Sequence, residues 1–106
     1  MKWVKIFADY NTAAKQLSEN KPRLLIVGET RICLVMREGK IHAISDRCTH
    51  NGESLSKGKV NFVGEIVCPW HGYQFNLQSG REWQERSTDL VTFPIREDAD
   101  GVYIGL

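Results

Sequence analysis

The sequence predicts an all-β domain carrying one short helix. Three features support that expectation. The apolar runs are four to six residues long, and polar, glycine-bearing turns separate them. Only one stretch, residues 11–19, has helical spacing. The length of 106 residues fits one domain, 1–106, and leaves no room for two.

The elements follow in order. Trp3-Val4-Lys5-Ile6-Phe7 reads as a first strand. Residues 11–19 form the short helix, with Asn11 as N-cap, Ala13, Ala14 and Leu17 on one face, and Lys21-Pro22 as its stop. Leu24–Val27, Ile32–Met36 and Ile41–Ala43-Ile44 are three strands joined by turns at Gly28-Glu29-Thr30 and Arg37-Glu38-Gly39-Lys40, an antiparallel meander. Residues 53–59 are polar and turn-like. Phe62 through Val67 reads as a strand with Gly64 as a turn or bulge, and Tyr73–Leu77 alternates and returns the chain to Gln78-Ser79-Gly80. Arg81 to Asp89 is charged and irregular. An extended pattern resumes over Leu90–Ile95, where Pro94 argues for an edge or a bulge. After a turn over Glu97–Gly101, the alternation of Val102, Ile104 and Leu106 makes a closing strand.

One stretch does not reduce to scaffold. Cys48-Thr49-His50 is followed by seventeen residues and then Cys68-Pro69-Trp70-His71. Thiolates and imidazoles are ligands for iron, zinc and copper. Each short segment supplies one sulfur and one nitrogen. Two thiolates and two imidazoles divide naturally between the irons of a [2Fe–2S] cluster, sulfurs on one and nitrogens on the other. Structural zinc also accepts two cysteines and two histidines, but its usual pattern places like ligands close together, whereas both pairs here are mixed. A predicted strand leads into each segment, so both would sit on a supported rim.

CTHNG and CPWHGYQF resemble the two ligand loops of Rieske [2Fe–2S] proteins, and the flanking strands resemble those of the small Rieske ferredoxins over most of the chain. The resemblance implies an antiparallel β-sandwich scaffold with an inserted cluster-binding lobe, here about residues 46–78. It implies one [2Fe–2S] cluster per chain, with Cys48 and Cys68 on one iron and His50 and His71 on the other. Histidine ligands leave less negative charge at the centre, so such clusters lie at roughly −150 to +300 mV against about −400 mV for all-cysteine plant-type clusters. Reduction is expected to couple to protonation of the imidazoles, giving a potential that falls at alkaline pH. The high-potential relatives have a disulfide between the loops where this chain has Glu53 and Trp70, and hydroxyl donors where it has Tyr73 and Phe75. Fewer donors to sulfur place the expected potential at the low end, near roughly −150 mV. The small ferredoxins also carry prolines in the loop after FxLxxG. Residues 83–88 contain none, which leaves either a looser cover or one provided by Trp83.

The remaining residues read as ordinary structure. Cys33, between Ile32 and Leu34, is a small buried hydrophobe; His42 is a sheet residue; Trp70 and Tyr73 pack beside the second loop; Trp3 and Trp83 are core or rim. Arg47, Lys57 and Lys59 are surface charges near the first loop. A formal net charge of +1 gives no case for nucleic acid or an anionic membrane. No stretch approaches the ~20 apolar residues that span a bilayer, and the N-terminus has neither signal-peptide nor anchor character. The odd thiol fits a reducing compartment, the cytoplasm. With no flavin or nicotinamide fold and no mononuclear iron triad, the expected role is an electron carrier, inactive alone, passing electrons from a reductase to a terminal oxygenase. The alternatives are the small subunit of an assimilatory nitrite reductase, partnered by its large subunit, and a structural zinc module.

Overall fold

The computed structural model describes all 106 residues. Its strands are β1 (Trp3–Phe7), β2 (Arg23–Val27), β3 (Thr30–Arg37), β4 (Lys40–Ser45), β5 (Lys59–Val60), β6 (Glu65–Val67), β7 (Gln74–Asn76), β8 (Thr92–Phe93), β9 (Ile95–Asp98) and β10 (Gly101–Gly105). One helix, α1 (Tyr10–Gln16), and a 3-10 turn at Leu55–Lys57 complete the list. They form three antiparallel sheets, ordered β1-β10-β9, β2-β3-β4-β8 and β5-β6-β7.

The four-stranded sheet is the central layer because β3 is apolar on both faces. Ile32, Leu34 and Met36 join Ile41 and Ala43 of β4 in a core with Ala13 and Leu17 of α1 and Val102 and Ile104 of β10. Cys33, Val35 and Ile44 point the other way, with Leu55, Ile66, Phe75, Leu77 and Leu90. Side chains alternate across a strand, so a continuous apolar run supplies both cores at once. The meander is as expected. Its second turn is the residue pair Glu38-Gly39, with φ of 52° and 79°, the mirror-image turn that suits strand twist.

The helix departs from expectation in three respects. Its cap is Asp9, whose carboxylate accepts the Thr12 amide at 2.7 Å, rather than Asn11. Ala13 and Leu17 are buried, an i, i+4 pair, while Ala14 lies around the helix and is exposed. The chain turns extended at Leu17, well before Lys21-Pro22. A helix this short is held by its cap and its two buried side chains rather than by propensity.

Two other expectations need correction. Residues 53–59 are not merely a polar turn: Leu55 is fully buried, and Lys59-Val60 is a strand. Phe62–Gly64 is the turn of the β5–β6 hairpin, not strand, and Phe62 is 91% exposed. Pro94 sits where the chain leaves the central sheet after β8 and enters the outer sheet as β9, a corner at which no ladder amide is needed. No helix is long and apolar enough to cross a membrane.

Candidate metal centre

The two ligand segments are loops of one design. The Cys48 amide donates to the Glu53 carbonyl (2.9 Å), and the Gly52 amide to the Cys48 carbonyl (2.7 Å). In the second loop the Cys68 amide donates to the Tyr73 carbonyl (2.8 Å), and the Gly72 amide to the Cys68 carbonyl (3.1 Å). The same offsets close both turns, and each needs left-handed backbone at its glycine, with φ of 76° at Gly52 and 72° at Gly72. The second loop joins β6 to β7, and the first follows β4, so sheets launch both.

The loops present their side chains in two layers. Cys48 and Cys68 are buried in the core that lies between the central sheet and the β5-β6-β7 sheet. His50 and His71 are exposed, with ring centroids 5.1 Å apart. Asn51 bridges the loops: its Oδ1 accepts the Glu53 amide at 2.9 Å and lies 3.9 Å from Cys68 Sγ, whose thiol donates to it. Burial pushes the Cys48 thiol above its ordinary range, so a metal held there would have to displace a proton.

No three His, Cys, Asp or Glu side chains converge as a mononuclear site requires. Two sulfurs below and two ring nitrogens above instead suit two metal ions side by side, each taking two protein ligands. This donor set and its separation into layers fit a [2Fe–2S] cluster and disfavour zinc.

Several supporting residues carry no sequence motif. Asp46, at the end of β4, is completely buried. Its carboxylate accepts the Ser56 amide at 2.7 Å, the Ser54 hydroxyl, and Arg31 Nη2 at 3.3 Å. Its carbonyl takes the Leu55 amide at 2.7 Å. One aspartate thus fastens the exit of the first loop to its entrance. Thr49 donates its hydroxyl to the Thr88 carbonyl (2.6 Å) and also meets Ser87 Oγ (3.1 Å), which ties residues 83–88 to the first loop. No local signal marks this network: Ser54 and Ser56 are 8 and 10 residues from Asp46, and the partners of Thr49 are 38 and 39 residues away.

Around the imidazoles, Tyr73 stacks on His50 with centroids 3.9 Å apart and planes 10° from parallel. The Arg86 guanidinium carbon lies 3.9 Å from the centroid of the Tyr73 ring. Arg86 is forked onto Glu82, Nε to Oε1 at 3.1 Å and Nη2 to Oε2 at 2.9 Å. The Arg86 fork holds the buried Glu82 carboxyl down at about 2. Packing for Tyr73 is therefore as expected. Trp70 differs: it meets His71 edge-on at 5.5 Å but is 64% exposed, a surface residue. Trp83, also exposed, makes its hydrogen bond through its amide to the Gln74 carbonyl, and Arg86 occupies the place over Tyr73. Lys57 and Lys59 line a hollow with Cys68, Pro69 and Gly72, beside the second loop rather than the first. Cys33 is buried, its thiol pushed up by burial to about 12, and His42 is half-buried, its basicity lowered by that burial.

The model of the Rieske [2Fe–2S] domain matches residues 8–94. The ferredoxin component of the alkene monooxygenase system of Xanthobacter autotrophicus is 30% identical over 93 residues, covering 88% of this chain and 76% of that protein. The 3-phenylpropionate/cinnamic acid dioxygenase ferredoxin subunit of Escherichia coli is 33% identical over 69 residues, covering 64% of this chain and 65% of that subunit. Human apoptosis-inducing factor 3 is 32% identical over 85% of this chain, which spans only 15% of that longer protein. Among solved structures, a chain from the complex of reduced oxygenase and oxidised ferredoxin in carbazole 1,9a-dioxygenase superposes with a TM-score of 0.80 at 26% identity, over 96% of this chain and all of that one. A protein assigned as the NADH-dependent nitrite reductase small subunit of Mycobacterium tuberculosis shares the fold alone, with a TM-score of 0.80 at 18% identity over 97% of this chain and 93% of that one.

Proposed function

The chain belongs to the Rieske [2Fe–2S] domain family, and on that premise we propose that it is a one-electron carrier that accepts from a reductase and delivers to a terminal oxygenase, without activity of its own. The observation that carries this reading is the layering of the site: two buried cysteines beneath two exposed histidines whose rings are 5.1 Å apart. Cys48 and Cys68 would hold one iron and His50 and His71 the other, within a lobe of about residues 46–78 set in a single domain. Bound there, a [2Fe–2S] cluster supplies the site at which one electron is taken up and given back. The protein's part is to keep the sulfur side dry, through Leu55, Ile66 and Phe75, and to present the imidazole side to a partner.

The similarity to the alkene monooxygenase ferredoxin, extending over most of both chains, favours an oxygenase as acceptor. A nitrite reductase large subunit is the other candidate partner, and stable co-purification with a sirohaem protein would select it. The lone thiol, Cys33, and the absence of any cysteine pair fit a cytoplasmic setting.

The test is to purify the native protein, count iron and acid-labile sulfide, and record electron paramagnetic resonance after dithionite reduction. About two of each per chain and a rhombic signal from a mixed-ligand cluster are expected. Phe75 offers no hydroxyl, so the midpoint potential is expected near roughly −150 mV. Colourless protein binding zinc alone would overturn the reading, as would a Cys48→Ser variant that keeps the full visible spectrum.

A further inference from the structure

Three residues outside the four ligand candidates, Glu82, Arg86 and Tyr73, form a column that ends on His50. It runs from the buried Glu82 through Arg86 and Tyr73 to the exposed His50. The Tyr73 ring lies nearly flat on the His50 imidazole, and the guanidinium lies close over the same ring. The two spacings put the guanidinium carbon no more than about 8 Å from the imidazole centroid. Arg86 is not a loose surface cation. Its fork is saturated by both oxygens of Glu82, whose side chain is fully buried while that of Arg86 is 37% exposed. The Glu82 carboxylate also accepts the Arg86 amide at 2.8 Å. A buried carboxylate that receives three bonds from one residue fixes that residue's position.

We propose that the Glu82–Arg86 pair is a positioning device for His50 that presses Tyr73 against the imidazole and sets, through its oriented charge, how readily the centre takes its electron. This rests on the reading of His50 as a cluster ligand. Arg86 touches neither metal nor imidazole. It acts through Tyr73, as a guanidinium over the face of an aromatic ring, and as a positive charge near a site that becomes more negative on reduction. Glu82 has the opposite sign. A unit charge at about 8 Å shifts the ratio of reduced to oxidised centre by a factor on the order of two at low ionic strength, and salt screens it.

The two halves of the pair make the proposal testable, because each substitution breaks the same ion pair but changes the local charge in the opposite direction. Arg86→Gln leaves Glu82 uncompensated and is expected to lower the ratio of reduced to oxidised protein at a fixed potential by a factor on the order of two at low ionic strength. Glu82→Gln leaves Arg86 uncompensated and is expected to raise that ratio. Arg86→Lys keeps the charge without the planar fork; its ratio is expected between those of the native protein and Arg86→Gln, with altered g values. In Tyr73→Leu the g values change, and adding Arg86→Gln has a smaller effect than in the native background.

The readouts are potentiometric titration and electron paramagnetic resonance of the cluster-loaded chain, with iron content measured for each variant. If Arg86→Gln fails to load, the sign for Glu82→Gln decides alone. Shifts in the same direction from both substitutions would overturn the proposal, as would no shift from Glu82→Gln. Native protein lacking the iron and the signal would refute the ligand assignment instead, so the two failures are distinguishable.

Discussion

Asp46 shows how much one buried side chain can organise. It accepts from Ser54, Ser56 and Arg31 and so closes the loop that carries Cys48 and His50. Asp46→Ala strands the Ser56 amide and the Ser54 hydroxyl. It is expected to cost about 1–3 kcal/mol in denaturant unfolding and to lower iron content, while Asp46→Asn, which keeps an acceptor, loses less. Equal losses from both would show that charge rather than acceptor geometry matters there. Glu82 makes a pH prediction. Its carboxyl is held at about 2, below the ordinary 4.5, so its contribution to stability is fully present above about pH 4.5 and is lost as pH falls through about 2. Acid unfolding followed by tryptophan fluorescence is expected to be less steep in that window for Glu82→Gln. Neither residue is marked by a motif. Glu82 and Arg86 read as charged loop residues, and nothing local reveals that one is buried.

The elements that were legible are those whose pattern repeats. The meander of β2, β3 and β4 reads directly from apolar runs and glycine turns, and so do β1 and β10. The short pieces do not: β5, β8 and the 3-10 turn have two or three residues each, too few to show a period. Leu55 inside a polar stretch is visible as core only once β5-β6-β7 is folded over it. At this scale Gly58 is decisive. A side-chain carbon there would collide with the Val67 carbonyl, one residue before Cys68, where backbone cannot yield cheaply. Gly58→Ala is expected to displace the β5–β6 ladder and reduce the iron bound per chain. Ala at Gly28, where nothing lies within 4 Å but φ is +60°, should cost stability without affecting iron content. Equal iron content in the two variants would contradict the role given to Gly58.

The whole molecule is two cores on either side of one sheet. One holds the helix and the β1-β10-β9 layer; the other holds both cysteines. Metal binding adds stability to the second directly and to the first only through β3 and β4. Removing the metal should therefore speed amide hydrogen exchange most in residues 46–78 and 81–90. Exchange in β1, β9 and β10 should change little, since they pack in the core that holds neither Cys48 nor Cys68. Uniform acceleration along the chain would mean that the two cores unfold as one unit.

The sequence alone determined the chemistry: two sulfurs and two ring nitrogens in mixed pairs, each pair followed by a glycine and preceded by a strand. Those are local facts, because spacing within a loop decides which donors can share a centre. Only the tertiary structure decided what stands around them. Asn51, Thr49, Asp46 and the stacking of Arg86 and His50 on Tyr73 act across 8 to 39 residues of chain. Such contacts exist only where strand pairing brings distant segments together, and no periodicity within either segment encodes them.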